Sequence, residues 1–161
     1  MKDWRQSRGW RNNNPVNIRR GEKWYGLRHT QTDVDFCQFI TQDFGYRAAA
    51  KVLKSYWRLF SQQGIAFSVI NILLRWAPAS ENNVNMYCNG VYRLLTGSPY
   101  TPPPDLPSPV TPEGAKCVGR LLAAMTCVEC GCPHDGVDYH AIADGVQMGL
   151  GQYVSPKDIV L

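Results

Sequence analysis

Long apolar runs are what this sequence most lacks. The longest, around Val69-Ile70 and Ile72-Leu73-Leu74, break within a few residues, well short of the ~20 that cross a bilayer. Charge is also sparse, at 19% against 44% hydrophobic residues, a balance that excludes a disordered chain and supplies a core. The first twenty residues hold five arginines and Asn12-Asn13-Asn14 but no apolar stretch, so no secretory leader is expected. Neither GxxxxGKS/T nor GxGxxG occurs, which removes the standard nucleotide-binding loops. HExxH and GxSxG are absent too, which argues against a zincin or an esterase elbow. At 161 residues the chain has the length of one ordinary domain.

What is present is unevenly placed. Net charge is +4, yet residues 1–30 hold eight basic groups against Asp3 and Glu22, a local +6 that leaves −2 for the remainder. A basic end suits a polyanionic partner such as nucleic acid, an anionic glycan or an acidic protein, or else is a solvated face. The arginines lie on no recognisable helix or RNA-reading motif, so a nucleic-acid partner is not expected. Six cysteines read as reduced thiols when no leader directs the chain to an oxidising compartment. Cys127-x-x-Cys130, with Cys132 and His134 nearby, has the spacing of half a zinc site, but no second CxxC or HxxxH completes it. Neither a metal nor another cofactor is expected.

Periodicity predicts a mainly α chain of α+β class with a small antiparallel β element near the N-terminus. Asn12 to Pro15 reads as irregular, because Asn bonds nearby backbone and Pro15 restricts Asn14. Lys23 to Ile40, rich in aromatic and β-branched residues, reads as a hairpin. Phe44, Ala48, Val52, Tyr56 and Phe60 then recur every four residues, an amphipathic helix that ends near Gly64. A second helix is predicted over 66–76. A third is capped by Ser80, buries Val84, Tyr87, Cys88, Val91, Tyr92 and Leu95, and ends at Gly97. Ser98 to Pro112 holds seven of eleven prolines, a strap or linker. Thr111-Pro112-Glu113 starts a helix that stops near Gly131. A last helix covers roughly 137–153, and 155–161 reads as a frayed tail. The division is therefore 1–97 as core with the β element, 98–112 as strap, and 113–161 as helices on the same domain.

Carboxylates are the candidates for chemistry. Cleaving a glycosidic bond needs one acid kept protonated near neutral pH. Glu81 stands close to Trp76 and Tyr87 in sequence, and aromatic surroundings would raise its pKa; a helix N-terminus would lower it. Trp24, Tyr25, Trp76 and Tyr87 are able to stack on sugar rings, while Asn13, Asn14 and Asn17 suit hydroxyl and acetamido groups. A cysteine nucleophile is the enzymatic rival, but Cys37 falls in a predicted strand and Cys88 in mid-helix, where nothing activates a thiol.

The blocks Arg8-Gly9-Trp10-Arg11-Asn12-Asn13-Asn14-Pro15-Val16-Asn17-Ile18-Arg19, Lys23-Trp24-Tyr25-Gly26, Asp35-Phe36-Cys37-Gln38-Phe39, Gly45-Tyr46-Arg47-Ala48-Ala49 and Arg75-Trp76-Ala77-Pro78-Ala79-Ser80-Glu81-Asn82 are distinctive. With Met125-Thr126-Cys127-Val128-Glu129, they resemble a family of phage and prophage structural proteins of Bacteroides-type bacteria. The order Asn-x-Asn-Pro-x-Asn-Ile-Arg, Trp-x-Gly, Phe-x-x-Phe is also similar to that of flagellar-type β-N-acetylglucosaminidases, which have lysozyme-like folds and cut peptidoglycan. In those enzymes a catalytic Glu precedes the Asn motif, whereas only residues 1–11, without a Glu, precede it here. The resemblance implies a lysozyme-like helical domain with Glu81 as the acid and Asp33, near the hairpin acid of those enzymes, as the second candidate. It implies a peptidoglycan glycan-strand hydrolase or lytic transglycosylase of phage or antibacterial-effector origin. Such a protein is made in the cytoplasm, delivered to the periplasm or wall, and accompanied by a delivery or immunity protein. The alternative is a virion or cargo protein that binds peptidoglycan or a protein without cutting.

Overall fold

The computed structural model describes residues 2–77 and 83–161. The architecture is mainly helical: α1 (Arg8–Arg11), α2 (Gln42–Gln63), α3 (Val69–Trp76), α4 (Val84–Thr96), α5 (Pro112–Cys130) and α6 (Tyr139–Leu150). Short 3-10 turns occur at Trp4–Gln6, His134–Gly136 and Pro156–Asp158. No helix among the described residues is long and apolar enough to cross a membrane.

The helix ends follow local chemistry. Thr111 accepts a hydrogen bond from the Gly114 amide and Pro112 occupies the first turn of α5, while Gly131 closes it at φ 71°. Gly64 and Gly97 close α2 and α4 in the same left-handed way. Ser68 caps α3, which therefore begins at Val69, three residues later than the periodicity suggests. Asn83, not Ser80, caps α4 through its bond from the Met86 amide; Ser80 itself lies outside the described residues.

α2 is buried along more than the one predicted stripe. Tyr46, Ala48, Ala49, Ala50 and Leu53 are fully buried, whereas Phe44, Val52 and Tyr56 stay half-exposed along one edge. α6 lies across α2 and approaches through its glycines. A Cβ on Gly145 would come within 2.6 Å of the Tyr46 Cβ and 2.7 Å of the Arg47 amide nitrogen, and one on Gly149 within 2.9 Å of the Arg47 carbonyl. These glycines lower helix propensity, but they make the close crossing possible. α5 supplies the centre of the core with Leu121, Leu122 and Met125, and its Thr126 hydroxyl lies 2.8 Å from the buried Tyr46 hydroxyl.

Two expectations are corrected, and one alternative is resolved. The N-terminal β element reduces to two isolated antiparallel bridges, Arg19–Phe36 and Leu27–Phe39. Side chains do the work of a ladder there: Gln38 accepts from the Thr32 amide, Gln31 accepts from the Gln38 amide, and Asn14 donates to the Ile18 and Cys37 carbonyls. The proline-rich segment is a strap, since its Leu106 amide donates to the Phe67 carbonyl at 2.8 Å. The C-terminal tail is anchored: Ile159 is fully buried beside Gly119 of α5, and Arg120 donates to the Val160 carbonyl at 2.6 Å.

Candidate functional site

A groove of about 460 Å³ runs between the segment Asn17–Trp24, the half-exposed edge of α2 at Val52 and Tyr56, and the end of α3 at Arg75 and Trp76. Asn17, Trp24 and Trp76 thus share one wall system, as stacking and amide-bonding residues would. The indole N–H of Trp24 and the Asn17 Oδ1 are buried and have no hydrogen-bond partner among the described residues, so each is left unsatisfied beneath the groove wall.

Asn17 connects this groove to an acid that the sequence did not single out. Its backbone is left-handed at φ 56°, a conformation Asn tolerates better than most residues, and its Nδ2 donates to Glu129 Oε2 at 2.7 Å. Tyr87, buried on α4, donates its hydroxyl to Glu129 Oε1 at 2.9 Å. Burial pushes the Glu129 carboxyl above the ordinary Glu range, against the lowering pull of Asn17, Tyr87 and the Arg19 charge. Glu129 also stands in the last turn of α5, whose C-terminal carbonyls disfavour a carboxylate. Glu129 is a half-buried acid with an upward-shifted pKa, placed directly behind a groove residue.

The other candidates fall elsewhere. Glu81 lies outside the described residues. Asp33 is corrected from proton donor to structural anion: Arg8 grips it through Nε and NH2 at 2.6 Å each, and Asn12 and the Asp35 and Phe36 amides donate to it. The Arg8 guanidinium holds this carboxyl well below the usual carboxylate range, so it carries no proton to donate. Its contribution to folding is present above the unfolded-state pKa near ~4 and fades only in strong acid. Asp33→Ala would orphan these donors and is expected to cost about 2–3 kcal/mol. Thermal unfolding should show that loss as a Tm drop of roughly 5–10 °C.

Asn14 is fully buried, with both amide ends bonded to Ile18 and Cys37 backbone, so it is scaffold and not a sugar contact. Asn13 donates to the Phe39 and Ile40 carbonyls and lines a separate depression with Asp43, Asp138 and His140. Tyr25 is exposed and lies against Phe44 and Arg47, away from the residues that line the groove. Tyr87 is buried and serves the acid, not a sugar face.

The thiols offer no nucleophile. That holds for Cys37, Cys88 and Cys117, which burial raises, and for Cys130, pushed up to about 11; Cys127 differs, lowered by its hydrogen bond with Cys132, but it is buried and does not line the groove. No three of His, Cys, Asp and Glu converge on a metal-sized site among the described residues.

The chain is similar to protein P5 of Pseudoalteromonas phage PM2. The two are 37% identical over 89 residues, which is 53% of this chain and 53% of that protein. The chain therefore spans about half the length of the relative it matches. No family model matches the sequence.

Proposed function

We propose that this protein cleaves the glycan strands of peptidoglycan, as a lysozyme-like hydrolase or lytic transglycosylase, with Glu129 as the proton donor. The observation that carries the reading is the Glu129 carboxyl itself. It is raised by burial, fixed by Asn17 and Tyr87, and adjacent to a groove walled by Trp24, Tyr56 and Trp76. A general acid must hold its proton at working pH and release it to the departing oxygen. Asn17 Nδ2 and the Tyr87 hydroxyl both donate to the carboxyl and hold it in place behind the groove. Substrate that displaces the Asn17 contact uncovers the acid at the groove. The aromatic walls suit sugar faces. Among the described residues, Glu22 is the carboxylate that lines the groove, and it is exposed. A route with one acid, assisted by the substrate's own acetamido group, therefore fits better than a buried carboxylate pair.

The similarity to a phage protein supports a phage origin over an antibacterial-effector one. The site of action is then the periplasm or wall after delivery, with a delivery or immunity protein as companion. The second reading is a virion or cargo protein that grips the same polymer without cutting it. Its support is that Glu129 lies behind Asn17 and not among the residues lining the groove.

Incubation of purified protein with sacculi, followed by mass analysis of soluble fragments, tests the proposal. Reducing-end or anhydro-sugar fragments are expected; pelleting with sacculi without fragments would favour the second reading. Tyr87→Phe adds a pH test. The Tyr87 hydroxyl bond favours the carboxylate, so its loss raises the Glu129 pKa further. The alkaline limb of the activity profile should then move to higher pH, since the donor form exists below that pKa.

A further inference from the structure

Among the described residues, the lining of the groove carries three arginines, Arg19, Arg20 and Arg75, against one acid, Glu22. A neutral polysaccharide needs no such excess of positive charge, and aromatic faces with amide groups would suffice for it. Two of the arginines are oriented by contacts that leave their charge intact. The Arg75 guanidinium lies 5.2 Å from the centre of the Tyr56 ring, and Arg20 donates to the Asp33 backbone carbonyl at 3.1 Å. A ring face and a neutral carbonyl fix a guanidinium without cancelling it. Arg20 and Arg75 are both exposed. They enter from separate elements, the N-terminal segment and the end of α3, so a strand lying in the groove meets positive charge from both.

We propose that the groove selects glycan strands bearing carboxylates along their length over neutral strands, with Arg20 and Arg75 as the specificity-determining residues. This rests on the reading of the groove as a glycan site, but it concerns recognition and does not require cleavage. Guanidinium groups recognise carboxylates through paired N–H donors, and the lactyl carboxylates of peptide-free peptidoglycan strands repeat along the chain as the proposal requires. The stacking residues Trp24 and Trp76 would then supply affinity that is indifferent to charge.

The test uses fluorescently labelled peptide-free glycan strands, the same strands with their carboxylates amidated, and a neutral N-acetylglucosamine hexamer. Anisotropy is read in the cold, with Glu129→Gln as a second, non-cleaving background. Carboxylate strands should bind roughly tenfold more tightly than amidated ones, as charge-assisted hydrogen bonds do. Arg20→Gln and Arg75→Gln should each lose most of that preference and leave affinity for the amidated strand unchanged. Equal affinity for both strands, or a preference that survives the double substitution, overturns the proposal. So does equal or tighter binding of a single-stranded polynucleotide. The two readings fail separately: fragments with no charge preference sink the selectivity alone, and charge preference with no fragments sinks the cleavage alone.

Discussion

Glu129→Gln is expected to abolish release of soluble fragments from sacculi, by on the order of 10² to 10⁴-fold, the usual worth of a positioned general acid. The folded protein and its binding to sacculi should survive the change. Gln keeps an oxygen for the Tyr87 hydroxyl, and turning the Asn17 amide over would offer its Nε2 the Oδ1 in place of the Nδ2 that faces Glu129. Stability gives an independent sign. A carboxyl whose pKa is raised by folding favours the fold most below its unfolded pKa, and that support is lost as pH rises through the folded value. The stability of the variant relative to the parent should therefore increase from pH 4 to pH 8, as read from denaturant unfolding at each pH. Full fragment release by the variant would remove Glu129 from the chemistry. A stability difference that does not change with pH would mean that its carboxyl is not raised.

The second large effect concerns the crossing of α2 and α6. Gly145→Ala is expected to destabilise the protein by about 3 kcal/mol, since the added methyl meets backbone of Asp43 and Arg47 as well as the Tyr46 Cβ, none of which can swing aside. The gain in helix propensity, about 1 kcal/mol, only partly offsets this. Calorimetry should show a Tm lower by roughly 6–12 °C for a chain of this size. Gly64→Ala is the contrast. Nothing lies within 4 Å of its new methyl, and only the left-handed backbone at φ 68° is strained, so about 1 kcal/mol is expected. Similar losses for both would mean that α6 does not lean on α2 through Gly145.

The helical frame was legible wherever a local rule acts alone. Thr111-Pro112-Glu113, Gly64, Gly97 and Gly131 mark their helix ends as the sequence predicts. The N-terminal region was misread because its apolar spacing resembles strands, while Asn14, Gln31 and Gln38 take backbone partners that a longer ladder would use. The same buried amides explain why Asn14 looked like a sugar ligand; short-range sequence does not say whether an amide faces water or carbonyls. Trp24, Trp76 and Asn17 were placed on one groove in advance. Glu129 was passed over because the segment Cys127 to Cys132 around it was weighed for its thiols alone, as half a zinc site or as ordinary cysteines. One signal was available: an acid in the last turn of an otherwise apolar helix opposes the helix dipole, and such a placement needs partners that only the fold supplies.

Those partners come from far along the chain. Asn17 is separated from Glu129 by 112 residues and Tyr87 by 42. Should the acid act as proposed, a polypeptide still emerging from the ribosome is harmless to its host until α5 has been synthesised and docked. Long-range closure of this kind comes late in folding, so a chain cut short before α5 would hold Asn17 and Tyr87 but lack the acid that joins them.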